Sequence, residues 1–282
     1  MKYLILLFAL FSITQTWARS DSLADGMRPK KYKKRDKPIL NVALVYYGSF
    51  WDERDMQRIA PLLKERYEAA TKGVIKLNIA HTAALPYKHQ IDSYPEYTQD
   101  GITDKSRLQR LWYYDNIGGK IINEVYEEFE KSEVGKHYGE LDALLVVSGA
   151  QYDALGFASG RVAITEQPRE IAWGLPDTGR TEIVTDENLV DELVHELGHT
   201  MFLGHTSTQC MRPELSLQER RECCEHSPNG QDVMSYCRDR RKVDANFFYG
   251  FEKCNMTMIQ ELIVPAMLKG KNWNVSGRLN CL

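Results

Sequence analysis

The stretch Val194-His195-Glu196-Leu197-Gly198-His199-Thr200-Met201-Phe202-Leu203-Gly204-His205 carries two histidines four residues apart, with a glutamate beside the first. On an α-helix, residues four apart are separated by about 40° around the axis, so His195 and His199 project from one face. Glu196 reaches toward the same side. Such a pair can hold one Zn²⁺ while a carboxylate stands beside a water on the metal. His205 supplies a third nitrogen if the helix stops and the chain turns back. Three protein ligands and one open position are what a hydrolytic zinc site requires. The plain alternative is a helix with partly exposed surface histidines. Against it, Val190, Val194, Leu197 and Met201 recur at three- and four-residue steps and make one apolar stripe. Thr185 or Asp186 can cap the helix, and Glu187 adds negative charge at its N-terminal end.

Downstream lies Gln231-Asp232-Val233-Met234-Ser235-Tyr236. Together the two stretches resemble the metzincin metallopeptidases, whose signature runs H-E-x-x-H-x-x-G-x-x-H followed by a methionine-containing turn. The V-M-S-Y form is similar to that of astacins and serralysins, in which the tyrosine can approach the zinc. The H-E-L-G-H-T opening and L-G-H ending also resemble archaemetzincins, whose cysteine pattern is not reproduced here. One position departs: the family's glycine falls on Phe202, and phenylalanine disfavours a left-handed backbone. Gly204 is expected to take over that turn.

The resemblance implies a two-lobed zincin of the α/β (α+β) class. A mixed twisted sheet with helices forms the N-terminal lobe (residues 39–205), ending in the zinc helix. An irregular, disulfide-stapled C-terminal lobe follows (206–282). It also implies a secreted zinc metalloendopeptidase with one catalytic Zn²⁺ on His195, His199 and His205. Glu196 acts as general base, Tyr236 helps to stabilise the oxyanion, and Met234 packs beneath the metal. Two alternatives stand beside this: a catalytically silent binding protein on the same scaffold, and a zinc hydrolase whose third ligand is Glu214, Glu219 or Glu222.

The composition, 43% hydrophobic and 27% charged, suits one sizeable globular domain. Residues 1–18 read as a secretory signal: Lys2, an apolar run from Leu4 to Ile13, then Thr16-Trp17-Ala18 before the cut. That run is too short for a membrane span, so a soluble protein is expected, extracellular or periplasmic and monomeric. All six cysteines (Cys210, Cys223, Cys224, Cys237, Cys254, Cys281) follow the His helix, which favours disulfides in an exported chain. A second zinc site built from thiolates is the competing idea. The net charge of −3 hides an asymmetry: Lys2 contributes +1 and residues 19–38 contribute +5, leaving −9 for residues 39–282. The basic cluster reads as a solvated arm, or as one that docks on the acidic domain or is trimmed. A nucleic-acid partner does not fit an exported acidic protein; a protein or peptide substrate does.

Working along the chain, residues 39–47 (I-L-N-V-A-L-V-Y-Y) read as a buried strand. Residues 52–72 have helical spacing, with Ile59, Leu62, Leu63, Arg66 and Tyr67 near one face and Gly73 closing the helix. A second strand spans 74–80, and a long loop holding His81 and His89 spans 81–102. Residues 108–131 are helical, with a break at Gly118-Gly119 and an apolar face of Ile121, Ile122, Val125, Tyr126 and Phe129. Residues 141–147 form the clearest buried strand, and 156–165 a short glycine-punctuated one. This alternation is an α/β arrangement. In metzincin-like proteins such a short strand lies antiparallel at the sheet edge, where Arg161, Val162 and Ala163 would receive an extended peptide. The bland reading is an edge strand blunted by Arg161. Residues 252–268 form a last helix, interrupted near Pro265. Asn255-Met256-Thr257 and Asn274-Val275-Ser276 are possible glycosylation acceptors.

Overall fold

The computed structural model describes residues 33–47, 53–85, 117–148, 156–166, 170–172, 181–183, 185–239 and 242–273. The leader 1–18, most of the basic arm, the loop after residue 85, the start of the helix read from 108 and the acceptor Asn274 lie outside these.

Strands β1 (Ile39–Tyr47), β2 (Lys76–Leu85), β3 (Ala143–Ser148), β4 (Gly156–Ser159) and β5 (Val162–Glu166) form one sheet in the order β2-β1-β3-β5-β4. The first four strands of that order run parallel, and β4 is antiparallel to β5. Helices α1 (Glu53–Ala70) and α2 (Ile117–Lys131) follow β1 and β2 in sequence. A short antiparallel pair, β6 (Glu170–Ala172) and β7 (Thr181–Ile183), precedes α3 (Asp186–Thr200).

Alternation along β1 divides the core. Leu40, Val42, Leu44 and Tyr46 face the side covered by α1 and α3, where Ile59, Leu63, Tyr67, Leu193 and Leu197 are fully buried. Ala43, Val45 and Tyr47 face Ile122, Val125, Tyr126 and Phe129 of α2. With helices on both faces the central strands β1 and β3 are apolar almost throughout and read as continuous runs, whereas β2 at the edge alternates. Each fully buried Val, Leu or Ile contributes about 1.5–3 kcal/mol.

Several expectations change. β2 runs five residues past Ala80, because β1 pairs with it as far as Leu85. The register shifts between Val42 and Ala43, so Ala80 is an extra residue, and such a bulge interrupts the two-residue period that marks a strand in sequence. His81 is therefore a strand residue. Gly118 and Gly119 lie inside α2 and do not break it. The stretch read as one short strand is a hairpin, β4 and β5, turning at Gly160 with φ +60°. The last helix is continuous in three segments: α5 (Lys253–Met258), a π-turn (Ile259–Ile263) and α6 (Val264–Lys269). The π-turn accommodates Pro265, which has no N–H to donate.

The end of the basic arm is docked. Arg35 Nη1 donates to Asp142 Oδ2 at 2.7 Å and to Ile39 O, and the guanidinium lies 5.6 Å from the Trp273 ring centre. Asn255 is fully buried and donates to Asp232 Oδ1, so no sugar can reach it in the folded chain.

Candidate metal centre

Thr185 caps α3 in a reciprocal box: its Oγ1 accepts from Asn188 N at 3.3 Å, and Asn188 Oδ1 accepts from Thr185 N at 3.2 Å. Asp186 and Glu187 occupy the first turn, and Arg58 of α1 pairs with Asp186. Leu189, Val190, Leu193, Val194, Leu197 and Met201 bury the helix in the core. His195 and Glu196 are thereby carried inside at 4% and 2% exposure.

The helix ends at Phe202, which takes the left-handed conformation itself, φ +65°. Gly204 is not among the positive-φ residues, which corrects the expected exchange. Phe202 N donates to His199 O at 2.8 Å and Leu203 N to Gly198 O at 3.0 Å, the two bonds of a Schellman turn. The strain of a left-handed phenylalanine costs about 1–2 kcal/mol. Packing of its partly buried ring and burial of Leu203 against the core offset it.

That turn brings His205 back. Its Nε2 lies 3.2 Å from His195 Nε2 and 3.0 Å from His199 Nε2. Three nitrogens about 2.0–2.1 Å from one tetrahedral cation would stand about 3.3 Å apart, so the spacing fits Zn²⁺. Protonation fits too. His195 Nδ1 lies 2.7 Å from Val233 O and His199 Nδ1 3.0 Å from Leu203 O. A carbonyl can only accept, so His199 Nδ1 carries the proton and its Nε2 lone pair faces the shared point, whereas His195 Nδ1 faces both an acceptor, Val233 O, and a donor, Arg238 Nη1, each at 2.7 Å. Burial, then the charge of Arg238, holds His195 well below the usual imidazole value, and burial brings His199 down to about 4. Both rings are therefore neutral donors at neutral pH.

The segment after His205 is stitched to the methionine turn. Thr206 N donates to Met234 O at 3.0 Å, and Cys210–Cys223 and Cys224–Cys237 clamp both ends to α4 (Leu217–His226). Cys254 is also disulfide-bonded, so a thiolate zinc site is overturned among the described cysteines. Met234 is fully buried beneath Gly198, where a Cβ would overlap its sulfur. Asp232 holds the turn: Oδ1 accepts from Met234 N at 2.7 Å and Oδ2 from Glu252 N at 2.8 Å. Tyr236 Oη lies 2.9 Å from His205 Nδ1, with the rings 4.2 Å apart, so the hydroxyl backs the third imidazole.

The other candidates sit elsewhere. Glu219 Oε2 accepts from Ser216 N at 2.7 Å and caps α4, Glu222 accepts from Gln218, and Glu214 is exposed. The ligand atoms of His195, His199 and His205 lie within 4.8 Å of one another; the sulfurs of Cys210, Cys224 and Cys237 also do, but all three are held in disulfides. Arg161, Val162 and Ala163 are 4%, 0% and 1% exposed, and β5 has a neighbour on each side. They cannot be a free edge; the outer strand is β4. Arg161 instead spends its charge internally, donating to Leu141 O and lying 5.4 Å from the Trp273 ring centre.

Three positions escaped the sequence. Gly156 of β4 abuts Glu196, and a Cβ there would overlap the carboxylate. Gly198 admits Met234. Arg238 is 6% exposed and lies against His195. The available signal for Arg238 was the pair Asp191-Glu192, two acids one turn before His195 set between the apolar pairs Leu189-Val190 and Leu193-Val194.

No protein-family model matches the chain, and no curated protein does. Solved structures match. An archaemetzincin from Methanopyrus kandleri is 19% identical, with 80% of this chain and 97% of that one covered and a TM-score of 0.43. A zinc-dependent peptidase from Methanocorpusculum labreanum is 15% identical over 64% of this chain and 91% of the other, TM-score 0.34. Metalloproteinase-II from Bacteroides fragilis is 14% identical over 66% of this chain and 50% of the other, TM-score 0.27. TM-scores this low assign no family, so the functional reading rests on the site's own atoms.

Proposed function

We propose that the chain is a zinc-dependent metallopeptidase that hydrolyses peptide bonds in a protein or peptide substrate. The observation that carries this reading is the meeting of three Nε2 atoms at 3.0–3.2 Å on a helix that also buries Glu196. His195, His199 and His205 would hold one zinc ion. When bound, zinc supplies a Lewis acid that polarises a carbonyl and brings a water's pKa toward neutrality. Glu196 takes the proton from the attacking water on a carboxylate oxygen and passes it to the leaving amine. Gly156 leaves room for that carboxylate beside β4. The outer edge of β4 offers backbone groups to an extended substrate strand. Tyr236 orients His205 through Nδ1.

The same reading takes residues 1–18 as an export signal, 19–38 as a basic arm and 39–282 as one monomeric two-lobed catalytic domain, secreted to an extracellular or periplasmic space. Disulfides in the region after His205 accord with that compartment. Among the described residues no helix is long and apolar enough to cross a membrane. The test is to incubate wild type and Glu196→Ala, both zinc-loaded, with a diverse peptide pool and map cuts by mass spectrometry. Cuts by the wild type alone are expected; equal cutting by both removes Glu196 from the mechanism, and cutting by neither removes the peptidase reading.

A further inference from the structure

Arg238 is an unusual neighbour for a metal ligand. Its Nη2 meets Glu192 Oε1 at 2.6 Å and its Nε meets Asp191 Oδ2 at 3.3 Å, with the three side chains 1–6% exposed. Both acids lie one turn before His195 on α3. The remaining nitrogen, Nη1, donates to Val233 O and lies 2.7 Å from His195 Nδ1. Neutralising two buried carboxylates would not by itself bring the guanidinium to the imidazole. The guanidinium is flat, and its donors are fixed relative to one another. With Nη2 bonded to Glu192 and Nε held beside Asp191 by charge, Nη1 is turned onto Val233 O and the His195 ring.

We propose that Arg238 is a positioning residue for His195. It ties the methionine turn to the zinc helix and places both Val233 O and its own Nη1 against His195 Nδ1, which together set the ring's orientation. The inference rests on the proposed metal site, but not on peptide hydrolysis. Partners of this kind, one bond behind a ligand, matter to metal affinity about as much as the ligand's own orientation does. A lysine keeps the charge but cannot reach Glu192, Asp191 and Val233 O together.

The test compares wild type with Arg238→Lys by chelator competition for Zn²⁺ and by the visible spectrum of the Co²⁺-loaded chain. Thermal unfolding of the metal-free forms serves as the control for folding. Arg238→Lys is expected to bind Zn²⁺ about 10–100-fold more weakly and to change the Co²⁺ spectrum. Its kcat should fall while KM stays within about twofold, because Arg238 is buried at 6% exposure behind the ring. Wild-type affinity and an unchanged spectrum in a folded Arg238→Lys would overturn the proposal. If that variant does not fold, Glu192→Gln reads the same clamp from the other side and keeps a neutral acceptor for Nη2. A loss of about threefold to tenfold is expected there, and unchanged affinity overturns the clamp. A wild type that binds zinc but cuts no peptide defeats the peptidase reading alone. Equal zinc binding by wild type and variant defeats the role of Arg238 alone.

Discussion

His195 and His199 stand on one helix, whereas His205 stands on the turn after it, and different physics holds the two parts of the site. The helical pair is local. A capped helix with a buried apolar stripe fixes both rings to one face, and the carbonyl of Leu203 sets the tautomer of His199. The third imidazole depends on distant groups: a left-handed Phe202, the Thr206–Met234 bond, two disulfides and the Tyr236 hydroxyl. The helical half should form whenever α3 folds, and the turn half only when the C-terminal region has closed over it.

The strongest way to isolate the helical half is Glu196→Gln. Turnover should fall by about 10³-fold while zinc content stays at the wild-type level, measured by peptide cleavage alongside metal analysis. Next, His199→Ala and His205→Ala set the halves against each other. Both variants should lose zinc on dialysis, and neither should perturb the helix itself by circular dichroism, because alanine is a good helix former and the cap and apolar stripe are intact. Retention of zinc in His205→Ala would mean that the turn half is dispensable.

Removing the outer clamp with Cys224→Ser and Cys237→Ser together should cost about 2–4 kcal/mol in denaturant unfolding, the range for a disulfide joining residues 13 apart. Zinc binding should weaken with it, while the amide protection of α3 should persist in hydrogen exchange. The smallest effect belongs to Phe202. Phe202→Gly should be more stable than Phe202→Ala by about 1 kcal/mol, since both lose the ring but only glycine relieves the left-handed backbone. Equal stabilities would show that the turn re-forms elsewhere.

Much of this contrast was already visible in the residues. Helical spacing brought His195, Glu196 and His199 together, and β-branched runs marked β1 and β3, because each depends on neighbours within a turn or along a strand. Other features were hidden by non-local events. The bulge at Ala80 broke the period that would have carried β2 to Leu85, and Gly160 folded one apparent strand into two. That hairpin buried Val162 and Ala163 and made β4 the outer strand on that side among the described residues. Gly156, Gly198 and Arg238 carry no periodic signal, since each answers to a side chain far away in sequence.

The chain's own order of residues determined a helix bearing two imidazoles and a carboxylate on one side, and strands apolar enough to be covered on both faces. Whether a third imidazole would reach the other two was decided in three dimensions. Phenylalanine at Phe202 opposes the turn that His205 needs, and only packing, cross-links and hydrogen bonds to the methionine turn outweigh that strain. Local preference is set by a residue and its neighbours, whereas the convergence of 3.0–3.2 Å is set by contacts that close only when the whole domain does.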